Sequence, residues 1–335
     1  MDLKTTYIGL ELTSPLVVSA CPISSRIDNL RRMEEAGAAA VVLWSLFEEQ
    51  VEHDASQLEF YLQYGTERFA ESLTYFPKPK EYRTGPQQYL DYIRQAKQAV
   101  KIPIIASLNG LSTGGWISYA KMAQEAGADG VELNVYYIPT DPRLGSEDVE
   151  NVYLAVLEAV KASVNIPVAM KLSPFFSSLP NMVQRLDKSG VDALVLFNRF
   201  YQPDIDVKQL RTVPSLTLST SWEMRLPLRW VALLYGRLHA NLAASTGIYT
   251  GEDVAKMILA GADVTMMCSA ILRDGVEALS KAKAQLVRIM QEMEYESVAQ
   301  MRGVLSHART AEPAAFERAN YMKVLQSYGP TMTLE

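Results

Sequence analysis

The stretch Ala243-Ala-Ser-Thr-Gly-Ile-Tyr-Thr-Gly-Glu-Asp253, followed after one helix by Val264-Thr-Met-Met-Cys-Ser-Ala270, decides how this chain is read. Each half is a short apolar run of strand type that stops at small residues. Thr250-x-x-Asp253 then reads as a helix start, with Thr250 capping the first turn and Asp253 answering from its third position. Two neighbouring strands that end in small residues expose backbone N–H groups with no side chain in the way. Such groups, beside a helix N-terminus, cradle a dianion. Gly247 or Gly251 alone is an ordinary turn residue. Together, on the last two strands of a βα series, they read as the phosphate site of a barrel.

Six further apolar runs precede these two: Pro15-Ala20, Ala39-Ser45, Pro103-Asn109, Gly130-Val135, Pro167-Ser173 and Ala193-Arg199; the last pair are Leu242-Gly247 and Val264-Ser269. Amphipathic stretches separate them at Ile27-Ala36, Pro86-Val100, Trp116-Ala126, Glu147-Ser163, Leu179-Ser189, Pro227-Leu238 and Gly251-Ala260. Near-continuous apolar strands joined by helices define a parallel sheet buried on both faces, and eight of them can close. The expected fold is an α/β (β/α)8 TIM barrel, a single domain over 1–335. An N-terminal hairpin is expected in 1–14, where Thr6-Leu12 alternates, and a C-terminal tail over 300–335 packs outside. Glycines 37, 127, 190 and 261 mark helix stops that lead directly into strands. Two connections exceed a plain βα loop, Leu46-Gly85 and Phe200-Met224, after the second and sixth strands. Long loops there serve as lids or cofactor walls. For Tyr61, Tyr64, Tyr75 and Tyr82 a self-packed loop and a homodimer contact both stand.

Net charge −6 and a pI near 5.3 leave no basic surplus for nucleic acid, so a small-molecule partner is expected. No apolar run is long enough to span a bilayer, and Met1-Asp2-Leu3-Lys4 carries no signal-peptide pattern. A cytoplasmic protein is expected. Its only cysteines, Cys21 and Cys268, read as small buried packing residues, with neither a disulfide framework nor a thiolate metal cluster expected.

Polar residues interrupt the strands near their ends: Asn109, Glu132, Asn134, Lys171, Asn198 and Arg199. Burying such groups costs a few kcal/mol each unless they are partnered, roughly 1–3 by protein data. Lys171 projects into the barrel mouth, toward a ligand anion or ring; a salt bridge to Glu132 is the alternative. Asn134 and Asn198 flank it, and their amides can read the imide edge of a heterocycle.

At these residues the chain resembles the dihydroorotate dehydrogenase family of FMN-containing barrels. The likeness rests on Ser14-Pro-Leu-Val-Val-Ser-Ala-Cys-Pro22, Glu132-Leu-Asn-Val135, Val168-Ala-Met-Lys-Leu-Ser-Pro174, Pro227-Leu-Arg-Trp-Val231 and Thr246-Gly-Ile-Tyr-Thr-Gly-Glu-Asp253. The resemblance implies that Ala20, Ser45, Asn134, Lys171, Ser219, Thr220, Thr246, Gly247, Cys268 and Ser269 line FMN. It gives the phosphate to the amides of Thr246, Gly247, Cys268 and Ser269, and sets Lys171 beside the electron-accepting end of the flavin. The departures fall on the catalytic side. Where the family carries Ser-Cys-Pro-Asn or a close relative, this chain has Val135-Tyr-Tyr-Ile-Pro139, with Tyr137 at the position of the base. Trp44 replaces a lysine, and Glu71-Ser-Leu-Thr-Tyr75 replaces an asparagine-rich segment.

The expected function is FMN-dependent oxidoreduction at a CH–CH or C=C bond, with Tyr137 as proton partner and Asn109, Asn134 and Asn198 orienting the substrate. A phenol, with a pKa of about 10, is a better acid than base at neutral pH, which favours reduction of an activated C=C. Three other readings stand. One is an authentic dihydroorotate dehydrogenase of pyrimidine biosynthesis with an altered base. Another is a flavin-binding subunit passing electrons to a protein partner. The third is an aldolase or isomerase using Lys171 as a Schiff-base nucleophile.

Overall fold

The computed structural model describes residues 1–48, 86–110, 113–200, 202–318 and 320–327. The tyrosines at 61, 64, 75 and 82 and the segment Glu71–Tyr75 lie outside these residues. Among them, Leu16–Val18 (β3), Ala40–Phe47 (β4), Ile104–Asn109 (β5), Gly130–Asn134 (β6), Val168–Leu172 (β7), Ala193–Leu196 (β8), Asn241–Ser245 (β11) and Val264–Met267 (β12) form a closed barrel. Every neighbouring pair is parallel. The (β/α)8 barrel expected from the sequence is therefore the fold. Among the described residues two further pairs of strands lie outside it: the antiparallel hairpin of Thr5–Tyr7 (β1) and Leu10–Leu12 (β2), and that of Asp204–Asp206 (β9) and Arg211–Val213 (β10).

Strand alternation sorts the apolar residues into two cores. Val17, Val42, Ile105, Ala169, Val195 and Met266 point into the barrel, where Tyr7, Ile8 and Leu12 of the hairpin close the floor. Their strand neighbours, such as Val41, Leu108, Leu133, Met170 and Leu242, point outward against the helices. Burying each large side chain of this kind contributes about 1.5–3 kcal/mol relative to leaving it exposed. β4 breaks the alternation once, with a register shift between Val42 and Ser45. The bulge places Trp44 edge-on to Tyr89 and Tyr92, at ring separations of 5.2 and 4.5 Å, and leaves Ser45 inside.

The glycine rhythm has a physical cause at the barrel floor. Gly127, Gly190 and Gly261 end helices at positive φ, and an aspartate follows two residues later in each case. Asp129, Asp192 and Asp263 each accept a 2.7 Å hydrogen bond from the N–H of Ile104, Val168 and Leu242, at the start of the neighbouring strand. Lys97, Lys161 and Arg302 pair with these carboxylates. One Gly-x-Asp turn thus stops a helix and pins the start of the adjacent strand.

The helix Gly251–Ala260 shows the expected capping box: Thr250 Oγ1 accepts from Asp253 N at 3.2 Å, and Asp253 Oδ2 accepts from Thr250 N at 2.9 Å. It lies against the long helix Glu277–Glu292 so closely that a Cβ on Gly251 would fall 2.5 Å from the Ala282 carbonyl oxygen and the Leu286 nitrogen. Among the described residues, a Cβ on Gly114, near the start of the helix Thr113–Glu125, would meet nothing within 4 Å. Gly251→Ala should therefore destabilise the protein by about 1–3 kcal/mol through overpacking. Gly114→Ala should raise stability by up to about 1 kcal/mol through helix propensity. Chemical denaturation of the two variants checks both signs, and a stabilised Gly251→Ala would refute the helix contact.

Candidate active site

All eight strands run the same way, so their last inward residues converge on one end. A cavity of about 640 Å³ opens there, a volume suited to a cofactor-sized ligand. One end is polar and made largely of backbone, the centre holds charged and amide groups, and the walls include Trp44, Phe47, Tyr136, Phe197, Leu216 and Leu272.

The backbone-rich end is built by three segments. Thr246 and Gly247 leave β11 with φ of 80° and 76°. Left-handed backbone at a non-glycine residue costs on the order of 1–3 kcal/mol, and Thr246 Oγ1 steadies it by donating to the Phe197 carbonyl at 3.2 Å. Gly247 is needed for a second reason: a Cβ there would fall 2.6 Å from Met224 N and 2.7 Å from the Thr220 carbonyl oxygen. Ser219, from the connection after β8, binds Ser269 Oγ through both its hydroxyl (2.8 Å) and its N–H (3.3 Å), and its hydroxyl accepts from Gly247 N at 3.4 Å. Tyr249 donates its hydroxyl to the Ser219 carbonyl. Cys268 caps the helix Ser269–Asp274, whose first amides have no intrahelical acceptor.

Lys171 sits at the centre, 7% exposed. Its ammonium donates to Ser19 Oγ at 3.3 Å and lies 3.9 Å from Glu132 Oε1. That separation is an ion-pair contact and too long for a hydrogen bond. Both readings of Lys171 from sequence thus meet in one residue, which faces the cavity above a carboxylate. Glu132 is fully buried, and among the described residues neither of its oxygens has a hydrogen-bond partner. Burial pushes its carboxyl above the ordinary range, and the Lys171 charge opposes that shift.

A chain of polar contacts crosses the strand tops beside Lys171. Asn198 Nδ2 donates to Asn134 Oδ1 at 2.5 Å, Asn134 Nδ2 to Ser45 Oγ at 3.4 Å, and Ser45 shares a 2.8 Å hydroxyl contact with Ser107. The two asparagines therefore hold each other across β7 and fix each other's amide orientation. Asn109 is buried at the top of β5 and also lines the cavity. Arg199 lines it too, tied by Nε to Glu223 at 2.9 Å and by Nη1 to the Thr217 carbonyl.

The cavity gathers Ala20, Ser45, Asn109, Asn134, Lys171, Asn198, Ser219, Thr246, Gly247, Cys268 and Ser269. It does not take in two residues expected there. Thr220 is exposed and starts the turn Ser221–Met224, its N–H bound to Glu223 Oε2 at 2.6 Å. Tyr137 packs against the outer core, while Tyr136 lines the cavity and stacks on Phe200 with 4.1 Å between ring centroids. The sequence expectation had these two tyrosines reversed. Asn134 points in, Val135 out, Tyr136 in and Tyr137 out, because the two-residue period continues past the end of β6. Ser19, which holds Lys171, and the segment Leu216–Leu218 were not singled out in the sequence. Ser19 sits in an apolar run, and the segment reaches the cavity only because the loop after β8 folds back.

A (β/α)8 barrel with a cofactor-sized cavity at its C-terminal end and a buried lysine on the fifth strand narrows the class considerably. The family model described as dihydroorotate dehydrogenase matches residues 83–290. This chain belongs to the dihydroorotate dehydrogenase family, and with it to the oxidoreductases acting on CH–CH bonds. The catalytic subunit of dihydroorotate dehydrogenase B (NAD(+)) from Thermoplasma acidophilum is 26% identical over 318 residues, covering 90% of this chain and 98% of that protein. The protein of the same name from Methanosarcina acetivorans is 28% identical, covering 89% and 94%. Dihydroorotate dehydrogenase A (fumarate) of Lacticaseibacillus paracasei is 27% identical over 210 residues, covering 58% and 69%. No helix among the described residues is long and apolar enough to cross a membrane.

The Glu132 geometry sets a pH dependence. A carboxyl whose native pKa is raised contributes stability that is complete below its unfolded value, about 4.3, and lost as pH rises through the native value. Glu132→Gln removes that component. The variant's melting temperature should fall less than the wild type's between pH 4.5 and neutrality, and parallel curves would show that Glu132 does not titrate as its burial requires.

Proposed function

We propose that the cavity holds FMN and that the chain catalyses hydride transfer between the flavin and a CH–CH or C=C pair of a small conjugated carbonyl compound. FMN, when bound, supplies the two-electron hydride chemistry that no side chain can. The residues fit this cofactor. The first amides of the helix Ser269–Asp274, together with those of Thr246 and Gly247, suit a phosphate, because a helix start and a side-chain-free turn offer positive potential. Ser219 and Ser269 brace that end. Lys171 supports negative charge acquired by a ring beside it, and the mutually bonded Asn134 and Asn198 present fixed amides to a polar edge. Membership of an oxidoreductase family displaces the aldolase or isomerase reading of Lys171.

The proton partner is best read as Tyr136, since its ring lines the cavity and that of Tyr137 does not. A phenol donates a proton readily and accepts one poorly at neutral pH. That observation carries the direction: reduction of an activated alkene, with Tyr136 Oη delivering the proton and the asparagine amides orienting the carbonyl. Dihydroorotate, the substrate in the relatives' names, is the second reading, because this chain belongs to their family. Relatives named as catalytic subunits also support a protein electron-transfer partner for this chain.

Two experiments test these assignments. The purified protein should be yellow and release FMN on denaturation. Ser269→Asp should empty the site by placing a carboxylate at the phosphate end, and the isosteric Ser269→Asn should retain it; a fully loaded Ser269→Asp would move the phosphate elsewhere. In stopped-flow mixing, Tyr136→Phe should slow reoxidation of the reduced protein by an enone on the order of a hundredfold, and Tyr137→Phe should have little effect. Rapid bleaching of the oxidised wild type by dihydroorotate, unaffected by Tyr136→Phe, would favour the second reading.

A further inference from the structure

The chain has two cysteines, one just past the first barrel strand and one just past the last. Closure of the barrel makes those strands neighbours: Val18 is paired with Met267, and Ser19 N donates to the Met267 carbonyl at 3.0 Å. Carrying that register upward brings Cys268 beside the segment Ser19–Cys21. There the two thiols are close enough for each to bias the other's ionisation, and both line the cavity. Both pack against the core, as the sequence suggests, and barrel closure also brings them together. The backbone holds each in place. The Cys21 carbonyl accepts from Ser24 Oγ at 2.8 Å and Ser24 N at 3.2 Å, and the Cys268 carbonyl accepts from Leu272 N at 3.0 Å.

The two sulfurs are not equivalent. Cys21 is buried, and the neighbouring Cys268 and its burial both push its thiol above the ordinary range. Cys268 is only partly buried. The neighbouring Cys21 thiol pulls its thiol below the ordinary range, and the Lys171 charge adds to this against the opposing effect of burial. A partly accessible thiol whose ionisation is favoured, beside a second thiol that holds its proton, is the arrangement that reacts with peroxide and then resolves.

We propose that Cys21 and Cys268 form a peroxide-reactive dithiol site on the wall of the cavity, which closes to an intramolecular disulfide. In the first step the Cys268 thiolate attacks a hydroperoxide. An S–O bond forms, the O–O bond breaks, the sulfur is oxidised to a sulfenic acid, and the peroxide leaves as an alcohol or water after taking a proton. In the second step Cys21 attacks that sulfur. The S–S bond forms, the S–O bond breaks, and the hydroxide leaves with the Cys21 proton as water.

The test titrates the purified protein with hydrogen peroxide, then denatures it, alkylates remaining thiols and measures the intact mass. Both alkylation sites should disappear together, with loss of two hydrogen atoms' mass, and peptide mapping should join Cys21 to Cys268 within one chain. Dithiothreitol should restore both thiols. At the same peroxide dose Cys21→Ser should accumulate a dimedone-trapped sulfenic acid on Cys268, whereas Cys268→Ser should leave Cys21 reduced. Two surviving thiols in the wild type, independent oxidation of each to sulfinic acid, or a crosslink between chains would each overturn the proposal, whatever the variants do.

Discussion

A parallel sheet that closes on itself imposes one constraint from which the rest of this molecule follows. Every strand ends at the same rim, and every second residue must point inward. Below the rim the inward residues are mostly apolar, with Ser107 and Glu132 as exceptions, and the hairpin residues Tyr7, Ile8 and Leu12 pack against them at the floor. Polar residues on the strands are then tolerated mainly where they reach the rim. Asn109, Asn134 and Lys171 lie on different strands, yet the fold has no other place to put them than around one cavity. The Gly-x-Asp turns at the opposite end protect this arrangement. By pinning strand starts they fix the register that decides which residues face in, and a slip of one residue would turn Lys171 outward.

What could be read in the sequence is what this constraint governs locally. The eight strands, the glycine helix stops, the Thr250–Asp253 cap and most cavity residues follow from apolar runs and small-residue punctuation. The misread residues depend on events that composition does not record. Tyr136 and Tyr137 exchanged places because the strand period persists beyond the last ladder bond, which a change from strand to loop composition conceals. Thr220 lies one residue past Ser219, and the turn that begins there carries it out to solvent. The bulge in β4 keeps Ser45 inward while Trp44 turns to the helices, and bulges leave little trace in a run of apolar residues. The meeting of Cys21 with Cys268 needed closure of the first strand on the last, a contact between the two ends of the barrel series.

The cavity is chemically graded. Its backbone-rich end is stiff, because Gly247 admits no side chain beside the Ser221–Met224 turn and Thr246 is held in a costly conformation by the Phe197 carbonyl. Its far walls carry Trp44, Phe47 and Tyr136, which exclude water without fixing a charged group. An anionic tail at one end and a flat, partly apolar body at the other match that gradient better than a uniformly charged ligand would.

The centre of the gradient is electrostatic. Lys171 stands above a carboxylate 3.9 Å away, and a fully ionised pair would leave little net charge to act on the cavity. Two effects compete at Glu132. Burial without hydrogen bonds disfavours its charged form, and the lysine favours it. Burial is the larger of the two, which shifts Glu132 toward the neutral acid and leaves the Lys171 charge less compensated. The Ser19 hydroxyl directs that ammonium without adding charge of its own. A cation whose counter-ion is weakened by burial attracts whatever acquires negative charge at the strand tops. It does so most strongly in a cavity whose apolar walls keep water from screening it.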